Sequence, residues 1–167
     1  KSLLSVGATS DFLNSSKGPV KDGRIKPEIV ARGVLTSTRP NNAYGSEQGT
    51  SMSAPGVAGG LALMYQRYRQ LHGGANPKSG LMKALLCNGA TDIGNDGVDF
   101  TYGFGVMNLL RSVTMLEKNN YFNTSVNNAA TNLHSITIPA GSSLAQLKVM
   151  LYWNDSSPAP LAGKALV

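Results

Sequence analysis

Cysteine is almost missing from this chain: 167 residues carry one thiol, Cys87. A lone cysteine excludes an intramolecular disulfide framework and any multi-cysteine metal site, and it leaves the redox compartment open. Charge is sparse as well, at 14% of residues, with a Lys and Arg excess that sets the formal net charge at +6. A nucleic-acid binder gathers its cations into a patch on a recognisable module. Here Lys17, Lys21, Arg24 and Lys26 alternate with Asp22 and Glu28, and Arg67 and Arg69 fall in a helical stretch. That is the pattern of a solvated surface, so no nucleic-acid partner is expected. Histidine occurs only at His72 and His134. No apolar run approaches the ~20 residues needed to span a bilayer, so no membrane partner is expected either. What is present is a globular balance, 41% hydrophobic, at a length that can bury a core.

The chain opens on Lys1-Ser2-Leu3-Leu4-Ser5-Val6-Gly7-Ala8, which reads as a core strand over Leu3 to Ala8. A chain that starts inside a strand is expected to be a fragment, so the lack of a leader is uninformative about export. Asp11 to Gly23 is rich in Ser, Asn, Gly and Pro and reads as a loop. Ile25 to Ala31 reads as a second strand containing Pro27, which cannot donate to a ladder. Val34 to Thr38 is short and β-prone, and Arg39 to Gly49 is polar and turn-rich. From Ser51 to Leu71 the period becomes helical, with Val57, Leu61, Met64, Tyr65, Tyr68 and Leu71 on one apolar face. The first half of this helix is built of small residues: Ser53, Ala54, Gly56, Ala58, Gly59, Gly60 and Ala62. Glycine within a helix costs roughly 1 kcal/mol against alanine, so close backbone packing deep in a core is expected to compensate. Pro55 is tolerable because it falls near the first turn.

Gly73-Gly74 ends that helix, and a second is expected from Pro77 to about Cys87, with Leu81, Met82, Leu85 and Leu86 inward. Thr91 to Asp99 is a polar loop. Tyr102-Gly103-Phe104-Gly105-Val106 is a turn into a third helix, capped near Asn108 and ending by Glu117. After Asn119 the pattern changes to short β-prone runs, Tyr121 to Val126, Leu133 to Ile138 and Leu144 to Trp153, with another strand beginning at Ala165 to Val167. A domain boundary is therefore expected between 118 and 119, giving units 1–118 and 119–167.

Gly49-Thr50-Ser51 carries the chemistry. A serine hydroxyl becomes a useful nucleophile when a base takes its proton and donors stabilise the oxyanion. A loop-to-helix junction supplies unpaired backbone N–H groups and the positive end of the helix dipole, and small neighbours let a substrate backbone approach. Because residue 53 is Ser, the segment does not fit the Gly-x-Ser-x-Gly elbow of α/β-hydrolases. A small-residue helix with a capping hydroxyl is the plain structural alternative.

The ordered blocks Gly49-Thr50-Ser51-Met52, Ala54-Pro55 and Val57-Ala58-Gly59 resemble the nucleophile segment of the subtilisin-like serine proteases, the subtilases. Ser2 to Ala8 is similar to the family strand ending Val-Gly-Ala, and Ser15 to Pro19 to its Ser-Ser-x-Gly-Pro loop. Lys26-Pro27-Glu28-Ile29 and Tyr102-Gly103-Phe104-Gly105 resemble two further family motifs, so the likeness runs from about Ser2 to Glu117. The tail, Leu147 to Asp155, is similar to the β-sandwich domain that follows the catalytic domain in larger subtilases. The resemblance departs at Gly56, where many members have His, and at Arg32, where Pro is usual.

The resemblance implies an α/β fold, a partial doubly wound parallel sheet followed by an incomplete all-β (sandwich or jelly-roll-like) segment. It implies a secreted serine endopeptidase that forms an acyl-enzyme on Ser51, with the Ser51 backbone N–H, Gly49 and Thr50 toward the oxyanion and the substrate. No cofactor is required and no catalytic metal is implied. Family members often bind calcium, and Asp92, Asn95, Asp96 and Asp99 offer oxygen ligands in one loop, although their spacing fails the EF-hand pattern. Protein or peptide substrates are the implied partners. A sheet cut midway exposes edges and faces, so association with the missing half of the domain or with another copy is expected too.

The triad is incomplete. In subtilisin its order along the chain is Asp, His, Ser, and no His precedes Ser51. His72 ends the helix that Ser51 begins, about 30 Å away at ~1.5 Å per residue, whereas general-base work needs roughly 3 Å. His134 lies in the β-prone tail. The fragment alone is therefore expected to be inactive, and a non-catalytic subtilase-like binding or structural protein stays open as the alternative. Cys87, flanked by Leu85 and Leu86, reads as a buried structural thiol, and Trp153 as β-sandwich core.

Overall fold

A computed structural model describes residues 3–9, 11–127, 129–138, 140–141 and 147–153. Two short strands, β1 (Val6–Ala8) and β2 (Ile29–Ala31), pair in parallel with Val6 opposite Ile29 and Ala8 opposite Ala31. Both are shorter than the runs the sequence suggests. Upstream of β2, Pro27 has no N–H to offer, and the backbone contact there is Glu28 N–H to the Ser5 carbonyl at 3.0 Å. On its other side β2 is extended by residues 104–107: Val30 N–H donates to the Gly105 carbonyl (3.0 Å) and Met107 N–H to the Val30 carbonyl (2.9 Å). Val106 in turn exchanges two 2.8 Å bonds with Thr91. This lateral run has parallel pairing at its centre, as a doubly wound sheet requires.

The Tyr102-Gly103-Phe104-Gly105 motif owes its glycines to that approach. Gly103 and Gly105 have φ of 63° and 110°. A Cβ at Gly103 would collide with the Pro27 carbonyl oxygen, and one at Gly105 with that of Thr91.

Val34 to Thr38 is a strand as its composition suggests, but the polar, turn-rich stretch Arg39 to Gly49 is not a loop throughout. β3 (Val34–Arg39) and β4 (Ala43–Gln48) form an antiparallel hairpin, with Val34 opposite Gln48 and Arg39 opposite Ala43. Asn41 and Asn42 take positive φ at its tip, 63° and 56°, as Asn tolerates better than most residues. β4 is exposed at every residue but Gly45, so it has no apolar alternation to betray it.

Three helices follow where the period places them: α1 (Thr50–Leu71), α2 (Ser79–Gly89) and α3 (Leu109–Glu117). Asn108 caps α3, its side chain accepting from Arg111 N–H at 3.1 Å. The core gathers Ile29 and Ala31 of β2, Val57 and Met64 of α1, Leu81, Met82, Leu85 and Leu86 of α2, and Leu116 of α3. α1 lies on this core by one face only: Ser53, Val57, Gly60 and Met64 are buried, while Ala54, Pro55, Gly56, Ala58 and Gly59 are exposed.

That corrects one expectation. Gly60 packs closely, since a Cβ there would meet Met107 Sδ at 2.9 Å, but a Cβ on Gly56 or Gly59 would meet nothing within 4 Å. Gly56 and Gly59 lie on the side of the helix that no described residue covers.

Of the β-prone tail, the described residues from 120 to 153 form neither strand nor helix, so the expected sandwich strands are not seen there. Trp153, expected in a sandwich core, is 62% exposed to solvent. The strand expected at Ala165 to Val167, and Leu144 to Gln146, lie outside the described residues. Among the described residues no helix is long and apolar enough to cross a membrane.

Candidate active site

The site begins with a glycine. Gly49, the N-cap of α1, has φ 143° and ψ 166°, a region closed to most side chains. Its N–H donates to the Gly33 carbonyl at 2.7 Å, and its own carbonyl accepts from Met52 N–H at 3.0 Å. Gly33 is held in turn by Asp11, whose carboxylate accepts from Gly33 N–H (3.1 Å) and Val34 N–H (3.2 Å). The Thr9 hydroxyl, 2.5 Å from Asp11 Oδ1, and these two amides hold the Asp11 carboxyl below the usual range despite some desolvation. A chain of hydrogen bonds thus runs from the end of β1 to the residue before Thr50-Ser51.

Ser51 sits in the first turn of α1 with its side chain exposed. No side chain caps this helix and no acidic residue falls in its first turn, so its amide dipoles meet no compensating charge from within the helix. Ser53, two residues on, is wholly buried. Its hydroxyl lies 3.1 Å from the Ala31 carbonyl and 3.0 Å from that of Arg32. Of the two hydroxyls in the turn, one faces outward and the other is committed to the backbone beneath it.

The remaining sequence candidates fall elsewhere. His72 is the C-cap residue of α1, at the opposite end from Ser51. Its ring stacks on Tyr68 with centroids 3.9 Å apart, Nδ1 lies 2.8 Å from the Tyr68 carbonyl, and Nε2 lies 3.0 Å from Tyr121 Oη. His134 stacks on Phe122 at 4.1 Å. Cys87 is buried, and that burial, outweighing the opposing pull of Lys83, pushes its thiol up to about 12. It is a neutral packing group at any ordinary pH.

In the acidic loop, Asp92 accepts from Gly97 N–H at 2.7 Å, and Asp99 accepts from Thr101 and Tyr102 N–H at 2.8 and 2.7 Å. Among the described residues no group of three or more His, Cys, Asp or Glu could hold a metal ion.

Sequence reasoning missed a buried carboxylate. Glu28 Oε2 accepts from Ser5 N–H (2.6 Å) and the Ser5 hydroxyl (2.8 Å), and Oε1 lies 2.5 Å from both Lys83 Nζ and Lys26 Nζ. Burial by itself would raise this carboxyl, but the two ammonium groups and Ser5 overcome it and bring it down to about 2. The available signal was a Glu inside a strand-like run, which needs a partner once buried. Nothing in the sequence points to Lys83 as that partner.

Comparison with known proteins agrees with the family resemblance. The family model Peptidase_S8, the subtilase family, matches residues 1–105. The chain is 33% identical over 109 residues to subtilisin DY of Bacillus licheniformis, covering 65% of this chain and 36% of that protein. It is 32% identical over 178 residues to the minor extracellular protease Vpr of Bacillus subtilis, covering 95% and 21%. With C5a peptidase of Streptococcus pyogenes it is 41% identical over 94 residues, 54% and 8%.

Among solved structures, the CspB protease of Clostridium perfringens superposes with TM-score 0.61 at 30% identity, over 69% of this chain and 27% of that one. A lanthipeptide protease superposes with TM-score 0.58 at 25% identity, over 68% and 41%. The chain belongs to the subtilase family. It spans little more than a third, or less, of the length of the curated relatives it matches.

Proposed function

We propose that the protein containing this chain is a secreted serine endopeptidase with Ser51 as its nucleophile. The observation that supports this most is the placement of Ser51, exposed in the first turn of α1 beside a helix N-terminus free of acidic residues, within the family's segment of the chain.

In the proposed reaction Ser51 Oγ attacks the peptide carbonyl and passes its proton to a base. The oxyanion is met by the Ser51 N–H, with Gly49 and Thr50 shaping the approach. The C–N bond then breaks, the amine leaves with the proton, and water releases the acyl group. The chemistry needs no cofactor and no metal, and involves neither nucleic acid nor membrane; calcium, if bound at the loop of Asp92, Asn95, Asp96 and Asp99, is structural. Export is favoured by the likeness to a relative named an extracellular protease.

Neither His72 nor His134 contacts Ser51, so the base and its carboxylate come from elsewhere in the protein. Loss of the base costs subtilisin about a millionfold in turnover, and the isolated 167 residues are accordingly inert. We assign 1–118 to the peptidase domain and 119–167 to the start of a β-sandwich domain. The remainder of the peptidase domain, or another copy, covers the outer face of α1, where Gly56, Gly59 and Leu63 (55% exposed) are open.

The test is peptide hydrolysis by the full-length protein and its Ser51→Ala variant. Loss of turnover in the variant is expected. Equal turnover in both removes Ser51 as the nucleophile, and no turnover in either favours a binding or structural relative that has lost the upstream residues.

A further inference from the structure

We infer that Ser53 is a positioning residue for Ser51, holding the nucleophile turn against the end of β2; this rests on the reading of Ser51 as nucleophile. The two serines share the first turn of α1 but not an environment. Ser53 has no exposed surface, and its one hydroxyl proton is shared between the carbonyls of Ala31 (3.1 Å) and Arg32 (3.0 Å). Ala31 is the last residue of β2, so the bond joins the start of the helix to the edge of the sheet. A second bond, Gly49 N–H to the Gly33 carbonyl at 2.7 Å, joins the residue before the turn to the same loop.

The segment 49–53 is therefore gripped at both ends by residues 31–33, and Ser51 stands between the two grips. Helix packing alone does not give this. The nearest fully buried apolar side chain on α1 is Val57, one turn further on; Met52 is half-buried, and Ala54 to Gly56 are exposed. The first turn would otherwise be free to fray, as helix ends do. A displacement of about 1 Å in a reacting group can cost on the order of a hundredfold in rate, so an anchor two residues from the nucleophile has kinetic consequences as well as stabilising ones.

Ser112 provides the control. It too is buried with no exposed surface, and its hydroxyl donates to a backbone carbonyl, Asn108 at 3.1 Å, but in α3. The experiment compares Ser53→Ala and Ser112→Ala in the full-length protein. It reads kcat and KM on a peptide substrate, the rate of fluorophosphonate labelling at Ser51, and hydrogen exchange of the Gly49 and Met52 amides. Ser53→Ala is expected to lower kcat and the labelling rate roughly ten- to hundredfold with KM unchanged, and to release protection at both amides. Ser112→Ala lowers stability without moving either rate. If Ser53→Ala does not fold, Ser53→Cys, similar in size with a weak S–H donor, is read the same way.

A folded Ser53 variant with wild-type kcat, labelling and exchange overturns the inference and leaves Ser51 untouched. Wild-type protein that hydrolyses peptides without labelling at Ser51 overturns both.

Discussion

Lys83 and Glu28 lie 55 residues apart in sequence and 2.5 Å apart in space, a buried ion pair that ties α2 to the start of β2. The same ammonium reaches the Leu3 carbonyl at 3.1 Å, and Glu28 reaches Ser5, so one carboxylate joins the segment before β1, β2 and the helix over them. Removing one member leaves the others buried and unmatched, which typically costs roughly 3–5 kcal/mol. Glu28→Gln is expected near the lower end of that range, because it strands two ammonium groups that keep some solvent access. Urea unfolding at neutral pH measures it.

The same group sets an acid response. The Glu28 carboxyl lies at about 2 when folded against an ordinary 4.5, so the unfolded chain binds the extra proton first. Its contribution is complete above about pH 4.5 and is lost as pH falls toward 2, on the order of 3 kcal/mol in all. Asp11, also held low, adds a loss of the same sign. Unfolding midpoints taken from about pH 6 down to about pH 2.5 should fall steeply in wild type and more gently in Glu28→Gln. Parallel curves would contradict the assignment.

Cys87 should be silent. A buried thiol raised to about 12 has almost no thiolate at about pH 8, so a thiol-reactive chromophore should react only as fast as the chain opens, and at once in denaturant. Rapid labelling of the folded protein would show the burial to be wrong.

Gly103 and Gly105 should resist substitution more than Gly97. All three have positive φ, which costs alanine about 1–2 kcal/mol. A Cβ at Gly97 meets nothing within 4 Å, whereas at Gly103 and Gly105 it strikes backbone carbonyls. Overpacking adds roughly 1–3 kcal/mol there. Thermal melts of the three alanine variants should rank Gly97→Ala well above the other two.

Periodicity makes the helices legible. Val57, Leu61, Met64 and Tyr68 mark the face of α1, and Asn108 announces α3 as its cap. The strand β4 is not legible, because its exposure on both faces removes the alternation that identifies a strand. Asn41 and Asn42 mark the turn but not the hairpin around it. In the site, Ser51 can be proposed from sequence because the chemistry it would supply needs only a local segment. Glu28 with Lys83, and Ser53 with Ala31, depend on pairings across the fold that no local spacing encodes. The glycine-rich half of α1 reads as closely packed deep in a core, but one of its faces meets no described residue. The β-prone runs after Asn119 have strand composition, yet the described residues there form no ladder.

If Ser51 carries the reactive hydroxyl, as proposed, a fluorophosphonate should find it. Treating the full-length protein with such a reagent and locating the adduct by peptide mass mapping is the most direct measurement. One adduct is expected, on the peptide containing Ser51, absent in Ser51→Ala and retained in Ser112→Ala. An active protein modified at another residue, with Ser51 bare, would contradict the proposal.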